Sequence, residues 1–138
     1  MTDTDEAATA MAHEAMPFAR ALGVEVTSAT TDSVVARLAW APERCTSDGV
    51  LHGGVLMSLA DSAGALLAFL NLPDGAAGST TLMSSTSFLR AVRSGFATAT
   101  ALALHRGRTT IVVETSIVDD VGRLVAKVTQ TQAVLRAA

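Results

Sequence analysis

The sequence is short of the residues that several classes of protein depend on. Cys45 is its only cysteine, so no disulfide forms within the chain, and one cysteine with three histidines gives no spacing typical of a zinc site. We therefore expect no bound metal. A reduced, cytoplasmic environment fits this composition best.

Charge and long apolar runs are also scarce. The formal net charge is −3, and no cluster of lysine and arginine exceeds a short pair, which argues against strong binding to nucleic acid. No run reaches the roughly 18 consecutive apolar residues of a membrane span. The acidic residues 1–6 lack the basic and apolar segments of a secretory signal. We expect no membrane partner and a cytoplasmic location.

The composition is that of a compact domain. Hydrophobic residues make up 49% of the 138 residues and charged residues 17%. This balance predicts one domain over residues 1–138, with a frayed, disordered start at residues 1–6. Because a small domain has limited room to bury an apolar surplus, we also expect a subunit interface.

Periodicity predicts an α+β fold. Helical spacing covers Glu6 to Leu22 with a break near Pro17, and a strongly apolar helix runs from Gly54 to about Leu70. Stretches rich in β-branched residues predict six strands, at 23–31, 32–40, 79–90, 95–105, 109–118 and 123–135. The last four have the spacing of an antiparallel meander. A curved antiparallel sheet wrapped around the long helix would bury that helix.

The segment His52-Gly53-Gly54 lies where a loop becomes the long helix. Glycine lets the backbone approach a ligand closely, and the first N–H groups of a helix have no partner within it. At the positive end of the helix dipole they would stabilise the oxyanion that forms when a thioester carbonyl is attacked. The alternative is a tight turn with a structural histidine, and these three residues alone do not exclude it.

Asp61 is the charged residue in the middle of that helix. Between Arg44 and Arg90 the other charged residues are Asp48 and Asp74, which lie in loops, and no lysine or arginine stands within a helical turn of Asp61. The alternative is a face that simply meets water, but such a face usually carries Lys, Glu or Arg. A lone carboxylate here indicates a site, where it would act as a general base on water or attack an acyl carbon.

Helix length separates these two features. Nine residues at 1.5 Å each span about 13 Å, so Asp61 does not reach the oxyanion site at the start of its own helix. A two-fold dimer would bring Asp61 of one subunit to the helix start of the other.

These residues resemble those of the PaaI-like acyl-CoA thioesterases of the hotdog superfamily. The resemblance rests on Leu51–Gly54, Ser58–Asp61 and Thr86–Arg90, and continues at Gly107–Thr109 and Asp119–Ala126. It implies a hotdog fold, a long central helix wrapped by an antiparallel sheet, in a homodimer or homotetramer with sites at the dimer interface. The implied reaction is hydrolysis of an acyl- or aryl-CoA thioester to the free acid and coenzyme A, with no other cofactor.

The resemblance also implies roles for individual residues. The helical carboxylate, general base or nucleophile, falls on Asp61, and the N–H that polarises the thioester carbonyl falls on Gly53. His52 would support the loop. An auxiliary hydroxyl in the strand after the helix falls at or next to Thr81.

Two positions depart from the family pattern. Thr46 stands where many relatives carry Asn or Gln, and Ala65 stands where some carry a hydroxyl. The turn that begins at Arg106 would hold coenzyme A phosphates through its arginine side chains, and the alternative is a solvated hairpin tip. The predicted substrate contacts are Gly54, Met83, Arg90, Arg106, Gly107, Arg108 and Thr109.

Two other functions stay open from the sequence. A hydratase or dehydratase on the same fold would use His52 with a carboxylate, although the spacing to Asp61 argues against it. A protein that binds acyl-CoA without turnover is the other alternative, and Thr46 and Ala65 are the residues that favour it.

Overall fold

Two short helices come first in the computed structural model, which describes residues 3–137. Helix α1 (Glu6–Ala15) and helix α2 (Pro17–Leu22) are separated at Met16, as the proline predicts. Asp5 caps α1 by accepting a hydrogen bond from the Ala8 N–H at 3.0 Å, and its own N–H donates to the Val26 carbonyl. The prediction of a frayed start is therefore wrong for Asp5 and Glu6. Residues 1 and 2 lie outside the described part.

Residues 3–137 contain six antiparallel strands, which form a single sheet. They are β1 (Glu25–Ala29), β2 (Ser33–Ala39), β3 (Ala76–Phe88), β4 (Phe96–Arg106), β5 (Thr110–Val118) and β6 (Leu124–Arg136), in the spatial order β1-β2-β4-β5-β6-β3. Strands β4, β5 and β6 form the predicted meander. Strand β3 does not belong to it, because β3 pairs with β6 at one edge and β4 pairs with β2.

The chain between β3 and β4 explains that difference. It crosses from one side of the sheet to the other past the start of the long helix, where the Val92 carbonyl accepts a hydrogen bond from the Leu51 N–H at 2.9 Å. A hairpin between β3 and β4 would have placed both strands on one side of the helix. With the crossover, β2 and β4 cover one flank and β6 and β3 cover the other.

Helix α3 (Gly53–Leu70) fills the concave side of the sheet and contacts strands β2 to β6. It has 18 residues and begins one residue earlier than predicted, because His52 serves as its N-cap. Nine of its residues are buried: Leu56, Leu59, Ala60, Ser62, Ala63, Gly64, Leu66, Leu67 and Ala68. The predicted α+β architecture, a long helix wrapped by a curved antiparallel sheet, is confirmed, and the sheet does not close into a barrel.

Helix α3 is also, among residues 3–137, the one helix long and apolar enough to cross a membrane by length and composition. Half of its residues are buried inside the protein. The central helix of a soluble domain meets the same criterion, so these properties alone do not indicate a membrane span.

Candidate active site

The start of α3 presents one backbone donor without a partner. His52 caps the helix with its side chain, whose Nδ1 accepts a hydrogen bond from the Gly54 N–H at 2.8 Å. The His52 N–H in turn donates to the Arg44 carbonyl at 2.9 Å, which fixes the loop. Within residues 3–137 no acceptor faces the Gly53 N–H. It is therefore available to a ligand oxygen at the positive end of the helix.

Phe88, at the end of β3, covers Gly53. A Cβ built on Gly53 would lie 3.1 Å from the Phe88 ring, so only glycine leaves that contact relaxed. Beside it is a groove of about 380 Å³, which we call the helix-start groove. It is lined by Thr46, Val50, Leu51, Gly53, Leu56, Phe88, Leu89, Arg90 and Ala91. The structure thus brings three predicted residues, Thr46, Gly53 and Arg90, to one place.

The N–H of Gly54 serves the helix cap, and a contact of Gly54 with substrate stays a prediction. Its N–H is already occupied by His52, so within one chain it offers no free donor to a substrate. Its contribution is to the cap, since a Cβ at this position would lie 3.0 Å from His52 Nδ1.

Asp61 lies two turns further along α3, with its carboxylate held on one side only. Its Oδ1 accepts hydrogen bonds from the Thr81 hydroxyl at 2.9 Å and from Gln130 Nε2 at 2.7 Å. No donor from the described residues reaches Oδ2, and no lysine or arginine forms an ion pair with the carboxylate. One oxygen is therefore fixed and the other is open to solvent, since the residue is exposed.

Around Asp61 is a second groove of about 220 Å³, lined also by Met57, Ser58 and Ser84, which we call the mid-helix groove. It shares no lining residue with the helix-start groove. Gly53 and Asp61 are eight residues apart on α3, a distance of about 12 Å along the helix axis. One chain therefore carries both halves of a site without bringing them together.

Two glutamines complete the surroundings of Asp61, and the sequence reasoning missed both. Gln130 and Gln132 are 0% and 1% exposed on the inner face of β6, and Gln132 Nε2 donates to the Thr81 hydroxyl oxygen at 2.8 Å. Their spacing in the sequence is the feature from which they could have been identified. They alternate with Thr129 and Thr131 in a strand whose inward positions are otherwise apolar, and buried amides need a partner.

The basic turn lies at the opposite end of α3 from Gly53. Arg106 donates through Nε to Asn71 Oδ1 at 2.8 Å and through Nη2 to the Thr31 carbonyl at 3.0 Å. Its guanidinium group thus ties the end of α3 to the β1–β2 turn. Within one chain, Arg106 is engaged in structural contacts and is not brought to either groove.

The other residues of that turn are arranged as a hairpin tip. Gly107 is required by close packing, because a Cβ there would lie 2.6 Å from His105 Nε2 and 2.8 Å from the Thr110 carbonyl. The side chains of Arg108 and Thr109 are exposed, and so is that of Met83 on the edge strand β3, at 61%. Contacts of these three with substrate stay predictions.

No group of three or more His, Cys, Asp or Glu side chains that would hold a metal ion is found in residues 3–137. The polar groups of the two grooves are a backbone N–H, hydroxyls, one carboxylate and one arginine. This set suits polarisation of a carbonyl and attack on it more than metal binding.

Comparison with known proteins places this arrangement in a family. A family model of the thioesterase superfamily matches residues 48–126. The Mycobacterium tuberculosis protein Rv1847 is 33% identical over 114 residues, 81% of either chain, and its solved structure has a TM-score of 0.85 with 89% of this chain and 99% of that one covered. The thioesterase HI1161 from Haemophilus influenzae has a TM-score of 0.87 at 29% identity, covering 99% and 93% of the two chains.

The PaaI protein from the E. coli phenylacetic acid degradation operon is also similar, with a TM-score of 0.84 at 26% identity over 99% of both chains. The chain therefore belongs to the thioesterase superfamily, and its hotdog fold and its likeness to PaaI confirm the predicted family. These relatives support a hydrolase as the class of activity.

Proposed function

We propose that this protein is an acyl-CoA thioesterase, which hydrolyses an acyl- or aryl-CoA thioester to the free acid and coenzyme A. The observation that carries the proposal is the pair of unsatisfied groups on α3: the Gly53 N–H at the helix start and the free Oδ2 of Asp61. One is the donor that a developing oxyanion needs, and the other is the base or nucleophile that generates it.

In the proposed reaction, the thioester carbonyl oxygen accepts a hydrogen bond from the Gly53 N–H, which polarises the C=O bond. Asp61 Oδ2 takes a proton from water as the water oxygen bonds to the acyl carbon. The C–S bond then breaks, and the coenzyme A sulfur leaves and takes up the proton. If Oδ2 attacks the carbon instead, water releases the resulting anhydride. Both routes use the same oxygen, and neither needs a cofactor beyond the coenzyme A of the substrate.

A two-fold dimer would bring the two grooves together, and the edge strand β3 offers a route to it. Within residues 3–137, the 13 residues of β3 pair on one side only, with β6, and leave the other edge open. Long open edges pair with another chain unless they are covered. Leu82 and Met83 on this strand are 65% and 61% exposed, apolar surface that a partner would bury.

The residue positions fit that arrangement. Thr81 contacts Asp61, and Phe88 covers Gly53. If two copies of β3 pair antiparallel about an axis between Ser84 and Ser85, Thr81 of one copy lies opposite Phe88 of the other. Each dimer then has two sites, each combining Gly53 from one subunit with Asp61 from its partner. Two such dimers would make the homotetramer that the resemblance implies.

Arg90 is the basic residue at this site best placed to contact the substrate, because it lines the helix-start groove with Gly53. An arginine there suits a phosphate or the polar arm of coenzyme A. Arg108 would contribute only if the partner subunit or a second dimer brings the hairpin tip close. A cytoplasmic location, where acyl-CoA is available as substrate, accords with the proposal.

The test is hydrolysis by the purified protein, with aryl-acetyl, benzoyl and medium-chain acyl-CoAs as substrates and release of free thiol as the readout. We expect turnover by the wild type and a loss of at least about a hundredfold in Asp61→Asn, which keeps the size of the side chain but removes the base. Full activity in Asp61→Asn would show that this site is wrong.

The same assay separates the alternatives. Binding of acyl-CoA without thiol release by the wild type would favour a non-catalytic protein, to which Thr46 and Ala65 point. Addition of water to an enoyl-CoA would favour the hydratase. For that chemistry His52 would have to act through Nε2, because its Nδ1 is engaged in the helix cap.

A further inference from the structure

Gln130 is a buried side chain that, among the residues the structure describes, hydrogen-bonds only to the proposed catalytic carboxylate. It is 0% exposed, and its Nε2 donates to Asp61 Oδ1 at 2.7 Å across 69 residues of sequence. Its Oε1 has no hydrogen-bond partner among the described residues. Since Gln130 is buried behind Asp61, it does not touch the substrate, and any effect on the reaction passes through Asp61.

The helix is built to let Gln130 reach that position. Gly64, one turn after Asp61, is buried, and a Cβ built on it would overlap Gln130 Oε1 and lie 3.0 Å from Gln130 Cδ. Glycine is a poor residue for the middle of a helix. Glycine at position 64, where the Gln130 amide packs against the helix, indicates that the helix makes room for Gln130 to reach Asp61.

A second glutamine supports the other donor. Gln132 Nε2 donates to the Thr81 hydroxyl oxygen, which leaves the hydroxyl hydrogen directed to Asp61 Oδ1. Gln132 Oε1 likewise has no hydrogen-bond partner within residues 3–137. Unsatisfied buried acceptors are costly, and apolar side chains of similar shape would avoid that cost. Stability alone therefore does not account for two amides here.

We propose that Gln130 is a positioning residue, which with Thr81 and Gln132 fixes Oδ1 of Asp61 and so makes Oδ2 the oxygen that reacts. This rests on the proposed thioesterase function. The donors to Oδ1 prevent rotation of the carboxylate about its Cβ–Cγ bond. Oδ2 then points constantly into the mid-helix groove, where the partner's Gly53 would place the acyl carbon.

The test compares Gln130→Met with Thr115→Val in the full-length protein. Methionine matches glutamine in length but donates no hydrogen bond. Thr115 is a matched control because it is 0% exposed in the same sheet and its hydroxyl, too, has no hydrogen-bond partner in the described part of the chain. For Gln130→Met we expect kcat to fall about tenfold to a hundredfold, as expected for a misplaced catalytic group, with KM within about twofold and the melting temperature unchanged or raised. Thr115→Val should keep wild-type kcat.

A second comparison asks whether Gln130 acts through Asp61. In the Asp61→Asn background, Gln130→Met should cause no further loss of activity, because the group it positions is already absent. A further tenfold loss there would overturn the proposal, and so would a wild-type kcat in the single variant Gln130→Met. A fall in kcat matched by an equal fall in the fraction of folded protein would also overturn it, since that is a structural effect.

The proposal also has a readout that does not depend on turnover. A crystal structure of Gln130→Met should show the Asp61 carboxylate rotated or in two orientations, whereas an unchanged carboxylate would refute the positioning role. If the wild type releases no thiol from any acyl-CoA, the thioesterase function fails, and this structural comparison still decides whether Gln130 orients Asp61.

Discussion

Two variants that are each inactive should restore activity to one another when mixed, if each site takes Gly53 from one subunit and Asp61 from the other. The first variant is Asp61→Asn. The second is Gly53→Pro, which removes the N–H of residue 53. Proline is well tolerated as the first residue of a helix, and the extended backbone of His52, with ψ of 137°, is the conformation that precedes proline.

The expected loss in each single variant follows from the group removed. Loss of one oxyanion donor costs about a hundredfold to a thousandfold in kcat, and loss of the general base at least about a hundredfold. Gly53→Ala is the matched control, since it adds a Cβ against Phe88 as proline does but keeps the N–H. It should lose much less activity than Gly53→Pro.

The recovery in the mixture is set by how the subunits combine. Random reassociation of equal amounts makes half of the dimers mixed. Each mixed dimer has one site with both groups intact and one site that lacks both, so the mixture should reach about a quarter of wild-type activity.

The assay is thiol release after the two proteins have been unfolded together and refolded, with native mass spectrometry to measure the mixed dimers. A mixture that contains mixed dimers but no more activity than its components would refute the shared site. Gly53 and Asp61 would then have to act within one chain, across about 12 Å of helix.

Two further predictions concern packing and pH. Gly64→Ala gains about 1 kcal/mol in helix propensity and loses about 1–3 kcal/mol to overpacking, so urea unfolding should show a net loss within about 2 kcal/mol. The Gln130 amide can relieve the clash with the new Cβ by moving away from Asp61. We therefore expect kcat to fall as in Gln130→Met, and full activity would contradict the predicted crowding. At the β5–β6 turn, the backbone hydrogen bond from Arg123 holds the pKa of Asp119 below its ordinary value of 3.8. Because this pKa is lowered in the folded state, ionised Asp119 stabilises the fold fully above pH 3.8, and the stabilisation is lost as the pH falls through the folded-state pKa. Near neutral pH, Asp119→Ala should therefore have a lower melting temperature than the wild type, and this gap in melting temperature should narrow below pH 3.8. A gap that is constant with pH would rule this out.

The local features were predictable because they depend on residues close in sequence. The break at Pro17 and the end of α2 at Gly23 follow from the chemistry of proline and glycine, and the start of α3 was predicted to within one residue. Asp61 was identified as unusual because no basic residue lies within a turn of it. The separation of Gly53 from Asp61 needed only the rise of a helix.

The position of β3 was not predictable in this way. Alternation of apolar residues shows which face a strand buries, but it does not show which other strand supplies the hydrogen bonds. The spacing of β3 and β4 is compatible with a hairpin, and only the packing of α3 between the two flanks of the sheet places β3 at the edge. The same packing leaves β3 open for a partner.

The sequence by itself determined the helices and strands, the start of α3 to within one residue and the two groups that the proposed chemistry needs. Only the tertiary structure showed that Gln130 holds Asp61, because it lies 69 residues away and reaches the carboxylate through strand pairing, whereas Thr81 was expected from the family resemblance. The tertiary structure also determined that Arg106 hydrogen-bonds to Asn71 at the end of α3. The physical reason is the same for both: capping and periodicity act within a few residues, whereas the partner of a buried polar group depends on which strands the core brings together.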